Sequence, residues 1–154
     1  MKPQQAHILE VTLRTQLSAA VGAVALTAGA LLGAPAAGAQ ATDYPTNSFR
    51  VEVGNTWTDG KLTWYNRSVL VEGTHKSVSS AGKAYCRLTW GRTYDASRAL
   101  VGTRGSDPGD MACGTTRSFS FVVPADIVGG AQLVRICLDD GNYNDLLCAP
   151  YRRP

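Results

Sequence analysis

Much of the chemistry a protein of 154 residues can carry is excluded here by what is missing. Only two histidines occur, His7 and His75, and no cysteines have the C-x-x-C spacing of a zinc site. No G-x-S-x-G surrounds any serine, so the strand–turn–helix nucleophile is absent. Basic residues form no run and the formal net charge is only +3, which gives no support for binding nucleic acid. Helical periodicity is absent after residue 40. No cofactor or metal is therefore expected.

The N-terminus reads as a secretory signal peptide. Lys2 and Arg14 precede an uncharged apolar run, LSAAVGAVALTAGALLGA, from Leu17 to Ala34. The small residues Ala37-Gly38-Ala39 then offer a cleavage site, with Ala41 the alternative. Residues 1–39 are thus expected to be removed and the remainder secreted, with no membrane contact after cleavage. Removal of Lys2, Arg14 and Glu10 leaves 13 basic and 11 acidic residues in the mature part. That part is long enough for one domain with its own core.

Residues 40–48, QATDYPTNS, are polar and are expected to be a flexible lead into a β-domain over 49–154. There the pattern alternates with period two, with turn residues every 8 to 12 positions. Asp59-Gly60 is a favoured two-residue hairpin turn, and it would place Phe49, Val51, Val53, Trp57, Leu62 and Trp64 on one buried face. The same register sets Glu52 opposite Arg67. A change of parity between Trp64 and Val69 suggests a bulge at residues 66–68. In KAYCRLTWG, Ala84, Cys86, Leu88 and Trp90 are expected to face inward. RSFSFVVP, AQLVRICLD and DLLCAPY supply later strands. Seven or eight strands in this length predict an immunoglobulin-like antiparallel β-sandwich in the broad sense.

All four cysteines fall in the exported part, where disulfides persist. Cys137 and Cys148 bracket DGNYN, a turn-rich stretch between two strands, so a staple across a hairpin is expected. A calcium loop fits less well. Asp140, Asn142 and Asn144 occupy the first three ligand positions, but Asp145 stands where Gly is needed and Tyr151 where Glu is needed. Pairing Cys137 with Cys148 leaves Cys86 to join Cys113, with the crossed pairings still open by sequence; the first closure is worth about 3 kcal/mol by the chain-entropy model and the second slightly more.

Candidate functional residues are few. His75, in VEGTHKS, reads as a solvated loop side chain. Glu52 and Glu72 are the only glutamates of the mature part, and they are the carboxylates a small hydrolase would need. Trp57, Trp64 and Trp90 are assigned to the core. Tyr65 and Tyr85 fall on outward strand positions and are the candidate ligand platform.

GKLTW, SVLVEG, RSFSFVVP and GGAQLVRICLDD, together with the Ala/Gly-rich export signal, resemble small secreted β-proteins of actinomycetes. That resemblance implies secretion and a β-fold and carries over no active residues. Mature length and four cysteines also resemble the neocarzinostatin family of small-molecule binders, whose cysteine spacings are much shorter than Cys86 to Cys113. The expected function is a secreted, disulfide-stabilised binding module for an extracellular protein, a cell-surface polysaccharide or a small molecule. An inhibitor of an extracellular enzyme is the alternative, with RTYDASR or TRGSDPGDMACG as its contact loop.

Overall fold

The structure, a computed structural model, describes residues 43–154; the expected signal peptide lies outside them. Eight strands follow in order: β1 (Thr46–Val53), β2 (Thr56–Trp64), β3 (Ser68–Lys76), β4 (Arg87–Tyr94), β5 (Leu100–Gly105), β6 (Thr116–Pro124), β7 (Leu133–Asp140) and β8 (Asp145–Arg152). They form two four-stranded antiparallel sheets, ordered β1-β2-β3-β6 and β5-β4-β7-β8. Single 3-10 turns at Lys83–Tyr85 and Pro108–Asp110 are the only helical pieces among the described residues. The fold is thus an all-β sandwich, split four and four, whereas an antibody constant domain is split four and three. Strand β1 starts earlier than expected, because Thr46 to Ser48 of the supposed flexible lead pair with Thr63 to Lys61.

The first hairpin turns elsewhere than expected. Gly54 takes φ +57°, the left-handed region that glycine enters freely, and Val53 lies opposite Thr56. Asp59-Gly60 is therefore mid-strand, where Gly60 faces Gly73 of β3 with no room for a side chain on either. Both the expected and the observed registers pair odd residues with even ones. Phe49, Val51, Leu62 and Trp64 therefore stay buried, as expected. The turn at 54–55 breaks the alternation, so Trp57 leaves the core and lies under the Arg50 guanidinium, 5.0 Å from ring centroid to carbon. Val53 is left exposed. Glu52 pairs with Arg50 at 2.7 Å rather than with Arg67, whose partner is Asp126. The parity change after Trp64 is a turn rather than a bulge: Trp64 faces Val69, and the Tyr65 amide donates to the Ser68 carbonyl.

Strand β4 has the reverse of its expected facing. Thr89, Gly91 and Thr93 point at the first sheet. The Thr89 hydroxyl lies 2.7 Å from that of Thr58, a Cβ on Gly91 would stand 2.7 Å from Val123 Cγ2, and Thr93 donates to the Pro124 carbonyl. Trp90 and Arg92 consequently lie on the outer face of the second sheet, while Leu88, on the same row and paired with Asp139, is still buried. The physical reason is volume. Phe119, Phe121 and Val123 of β6 fill the interior opposite, leaving space there only for small side chains. Of the three tryptophans only Trp64 is fully buried, its indole N–H donating to Asn47 Oδ1 at 2.7 Å.

Both expected disulfides form. Cys137 and Cys148 are direct partners in the β7–β8 ladder, and Cys86, just before β4, joins Cys113. Inside, Phe49, Val51, Leu62, Trp64, Val69 and Val71 pack on Val134, Ile136 and Leu138. Beside this apolar cluster lies a buried polar layer that includes His75, which is fully enclosed in β3 rather than solvated in a loop. Its ring stacks on Phe119 at 4.9 Å. Nε2 faces the Asp110 carbonyl at 2.7 Å and must therefore carry the proton, so Nδ1 accepts from Thr89 at 3.1 Å. The Thr89 oxygen in turn accepts from Thr58. This relay joins β2, β3, β4 and the loop before β6 among residues closed to bulk solvent.

Burial holds the His75 pKa below its ordinary value, against the smaller upward pull of the Asp110 carbonyl. The native state thus keeps a neutral ring, while below about pH 6.5 the unfolded chain takes up a proton. The stability His75 contributes is present above that pH and is lost as pH falls. His75→Gln is expected to cost about 1–3 kcal/mol at pH 7.5, the range for stranded buried partners. In urea unfolding at pH 5 the same substitution should cost less. A cost that grew on acidification would contradict the neutral assignment.

Candidate ligand-binding site

The outer face of the second sheet brings together side chains that are distant in sequence. Trp90 lies opposite Gly105 of β5 on one side and Cys137 of β7 on the other. Its ring lies across Gly105 so closely that any side chain there would collide with it. The indole N–H donates to Thr103 Oγ1 at 2.6 Å, which fixes the ring's rotation. The opposite wall is Tyr143, edge-on to Trp90 with centroids 6.2 Å apart.

Tyr143 belongs to the DGNYN turn, and the turn explains its placement. The Asp140 carboxylate accepts from the amides of Asn142 and Asn144 at 2.8 and 3.0 Å, and from the Asn144 side chain. Burial works against the charge of Asp140, but these donors outweigh it and hold its pKa below the ordinary value. A carboxylate filled by N–H donors acts as a turn cap. The stretch between the cysteines is therefore the stapled hairpin expected from its composition. The cap holds Tyr143 at φ +66°, an unusual conformation for a residue with a side chain, and presents its ring half exposed over Trp90.

Two cavities meet at this aromatic pair. One, of about 430 Å³, runs between Trp90, Tyr143, Arg104, Ser106, Asp107 and Pro108. The other, of about 300 Å³, is lined by Trp90, Tyr143, Arg92, Leu100, Thr103 and Asp139. Both volumes lie within the usual range for small-molecule sites, roughly 300–1,000 Å³.

At the floor of the second cavity, the Asp139 carboxyl lies near an Arg92–Asp145 ion pair. Arg92 grips Asp145 with both nitrogens, at 2.8 and 3.0 Å, and its Nη1 also lies 3.0 Å from Cys137 Sγ. This hydrogen-bonded pairing pulls Asp145 below the usual carboxylate range. Asp139 is nearly inaccessible, 1% exposed, and its Oδ1 has no hydrogen-bond partner. Burial first, then the neighbouring charge of Asp145, push Asp139 up to about 7. Cys137, Asp145 and Cys148 also cluster, but the two sulfurs are bonded to each other and offer no thiolate to a metal.

The residues singled out from sequence are not in this cleft. Tyr65 lies in the β2–β3 turn, half buried and edge-on to Tyr44 at 4.6 Å. Tyr85 lies in the 3-10 turn before β4, not on a strand, and is 55% exposed. They sit near opposite ends of β2, since Arg87, just after Tyr85, bonds Thr56 at its start and Tyr65 follows its last residue. Glu52 and Glu72 each face a cation on the outer side of the first sheet, Arg50 and Lys61. The cleft residues Trp90, Tyr143, Arg92, Asp139 and Asp145 escaped sequence reasoning. One signal was present: a staple joining 137 to 148 sets Asp139 beside the 145–146 pair across the hairpin. No protein-family model, curated protein or solved structure matches the chain.

The native state retains on Asp139 a proton that the unfolded chain releases above about pH 4. The associated stability is complete below that pH and is lost as pH rises toward 7. Asp139→Asn has no proton to lose and nearly the same shape. It is expected to match the wild type at pH 4 and exceed it at pH 8 by a few kcal/mol at most, at about 1.4 kcal/mol per unit of displacement. Equal stability of the two proteins across this range would show that Asp139 ionises freely.

Proposed function

We propose that the protein is a secreted, disulfide-stabilised binding module whose ligand seats in the cleft between Trp90 and Tyr143. The observation that carries this reading is the aromatic pair itself. One ring is laid on a glycine and pinned by Thr103, and the other is held in a left-handed turn by Asp140. Such fixed rings lose little freedom when a ligand arrives, which lowers the side-chain ordering cost of binding. Secretion rests on the N-terminal sequence, and two disulfides suit an oxidising compartment. A polysaccharide or small molecule fits the cleft dimensions better than a broad protein surface does.

The loop weighed as an inhibitory contact serves as a wall of this cleft. Ser106 is buried and its amide bonds Thr89, Ala112 is buried and bridges to Arg87, and Cys113 is tied to Cys86. Asp107 and Pro108 of the same loop line the larger cavity.

The oxidised, processed protein should be retained by cell-wall material or insoluble polysaccharide from an extracellular setting. Trp90→Ala and Tyr143→Ala are each expected to weaken retention about tenfold, a loss typical of an aromatic anchor. Tyr65→Ala and Tyr85→Ala should leave it unchanged. Loss at Tyr65 or Tyr85 with retention intact at Trp90 and Tyr143 would move the site elsewhere.

A further inference from the structure

We propose that this cleft receives its ligand through a positively charged amine seated at the carboxyl of Asp139. The inference rests on the cleft being the binding site and adds the chemical class of what enters it. On the outer face of the sheet, Asp139 from β7 lines the same cavity as Arg92 from β4, and Asp145 from β8 is paired with Arg92 and lies near Arg135 as well. Both forks of the Arg92 guanidinium are occupied by Asp145. Asp140, next along β7, adds a further negative charge close by, which Arg87 offsets. None of these guanidinium groups donates a hydrogen bond to Asp139, whose Oδ1 is left without a donor.

A proton is the simplest way to satisfy that group, and the raised proton affinity of Asp139 accords with it. An ammonium group would do so more fully, since it brings both a hydrogen-bond donor and a charge. A neutral hydroxyl brings the donor alone. The other walls favour the same choice. Trp90 and Tyr143 line the cavity that Asp139 floors, and aromatic faces attract organic cations. Leu100, 58% exposed at the rim, offers apolar contact to the carbon skeleton carrying the amine. Arg92 lines the cavity too, but its charge is already matched by Asp145. The ligand class is therefore a primary alkylammonium on a small apolar or sugar-like frame.

Binding should be tested on the oxidised, processed protein with n-butylammonium as the probe and n-butanol as its neutral isostere. Carbon-13 carboxyl signals report Asp139, and the indole N–H signal reports Trp90. The ammonium is expected to lower the titration midpoint of Asp139 and to shift Trp90. Its apparent affinity should rise up to tenfold per pH unit between pH 5 and 7, then level off, because it displaces a proton. Asp139→Asn should weaken it at least tenfold, and n-butanol should do neither. Silence of the ammonium, equal effects of n-butanol, or unchanged binding by Asp139→Asn would each overturn the cation assignment. Trp90 shifts from neutral cello-oligosaccharides without any from the ammonium would overturn it while leaving the cleft as the site. Identical responses from Trp90→Ala and wild type would remove the cleft as well.

Discussion

The close approach of β4 to β6 is the constraint on which the rest of the molecule depends. Gly91 has no side chain to keep Val123 at a distance, and Thr89 and Thr93 on the same row are small and polar. Two sheets can pack this closely only if bulk on one side meets smallness on the other. The bulk comes from Phe119, Phe121 and Val123 of β6. Once that row of β4 faces inward, alternation sends Trp90 and Arg92 to the outer face. The interior polar layer follows from the same choice, because Thr89 arrives within reach of Thr58 and His75.

The consequence for function is that a large aromatic and an arginine stand where ordinary surface residues would suffice. Trp90 rests on Gly105, and Arg92 holds Asp145 beside the Cys137–Cys148 bridge. The disulfide does more than limit the unfolded chain. It sets the hairpin register that brings Asp139 near Asp145, and the Asp140 cap brings Tyr143 over Trp90. The elements that stabilise this hairpin are thus the ones that assemble the cleft. Asp139 is the exception to local good fit, and that is why it points to a ligand: natural folds tolerate such unpaired buried groups chiefly where they have a use.

How much was legible beforehand depends on the kind of signal. Alternation identified the strand-rich fold, and cysteine context identified both disulfides, because those signals are local or combinatorially few. Phe49, Val51, Leu62 and Trp64 were legible as core because two different hairpin registers agree on them. Trp57 was not, since Gly54-Asn55 and Asp59-Gly60 are both credible turns and only pairing with β3 separates them. Trp90 was misassigned because hydrophobicity ranks Leu88 and Trp90 above Thr89 and Gly91, and sequence does not show how much space β6 leaves. The sequence around His75 reads as a loop because its partners, Thr89 and Asp110, lie far along the chain. The cleft was hidden for the same reason: it is assembled from four strands and two loops that lie far apart along the chain.

The facing of β4 can be measured directly by the nuclear Overhauser effect. Contact is expected between the Gly91 α-protons and the Val123 methyls, and none between the Trp90 indole and Val123. Contact of the Trp90 ring with the Val123 methyls, with Gly91 remote from them, would reverse the strand and dissolve the cleft.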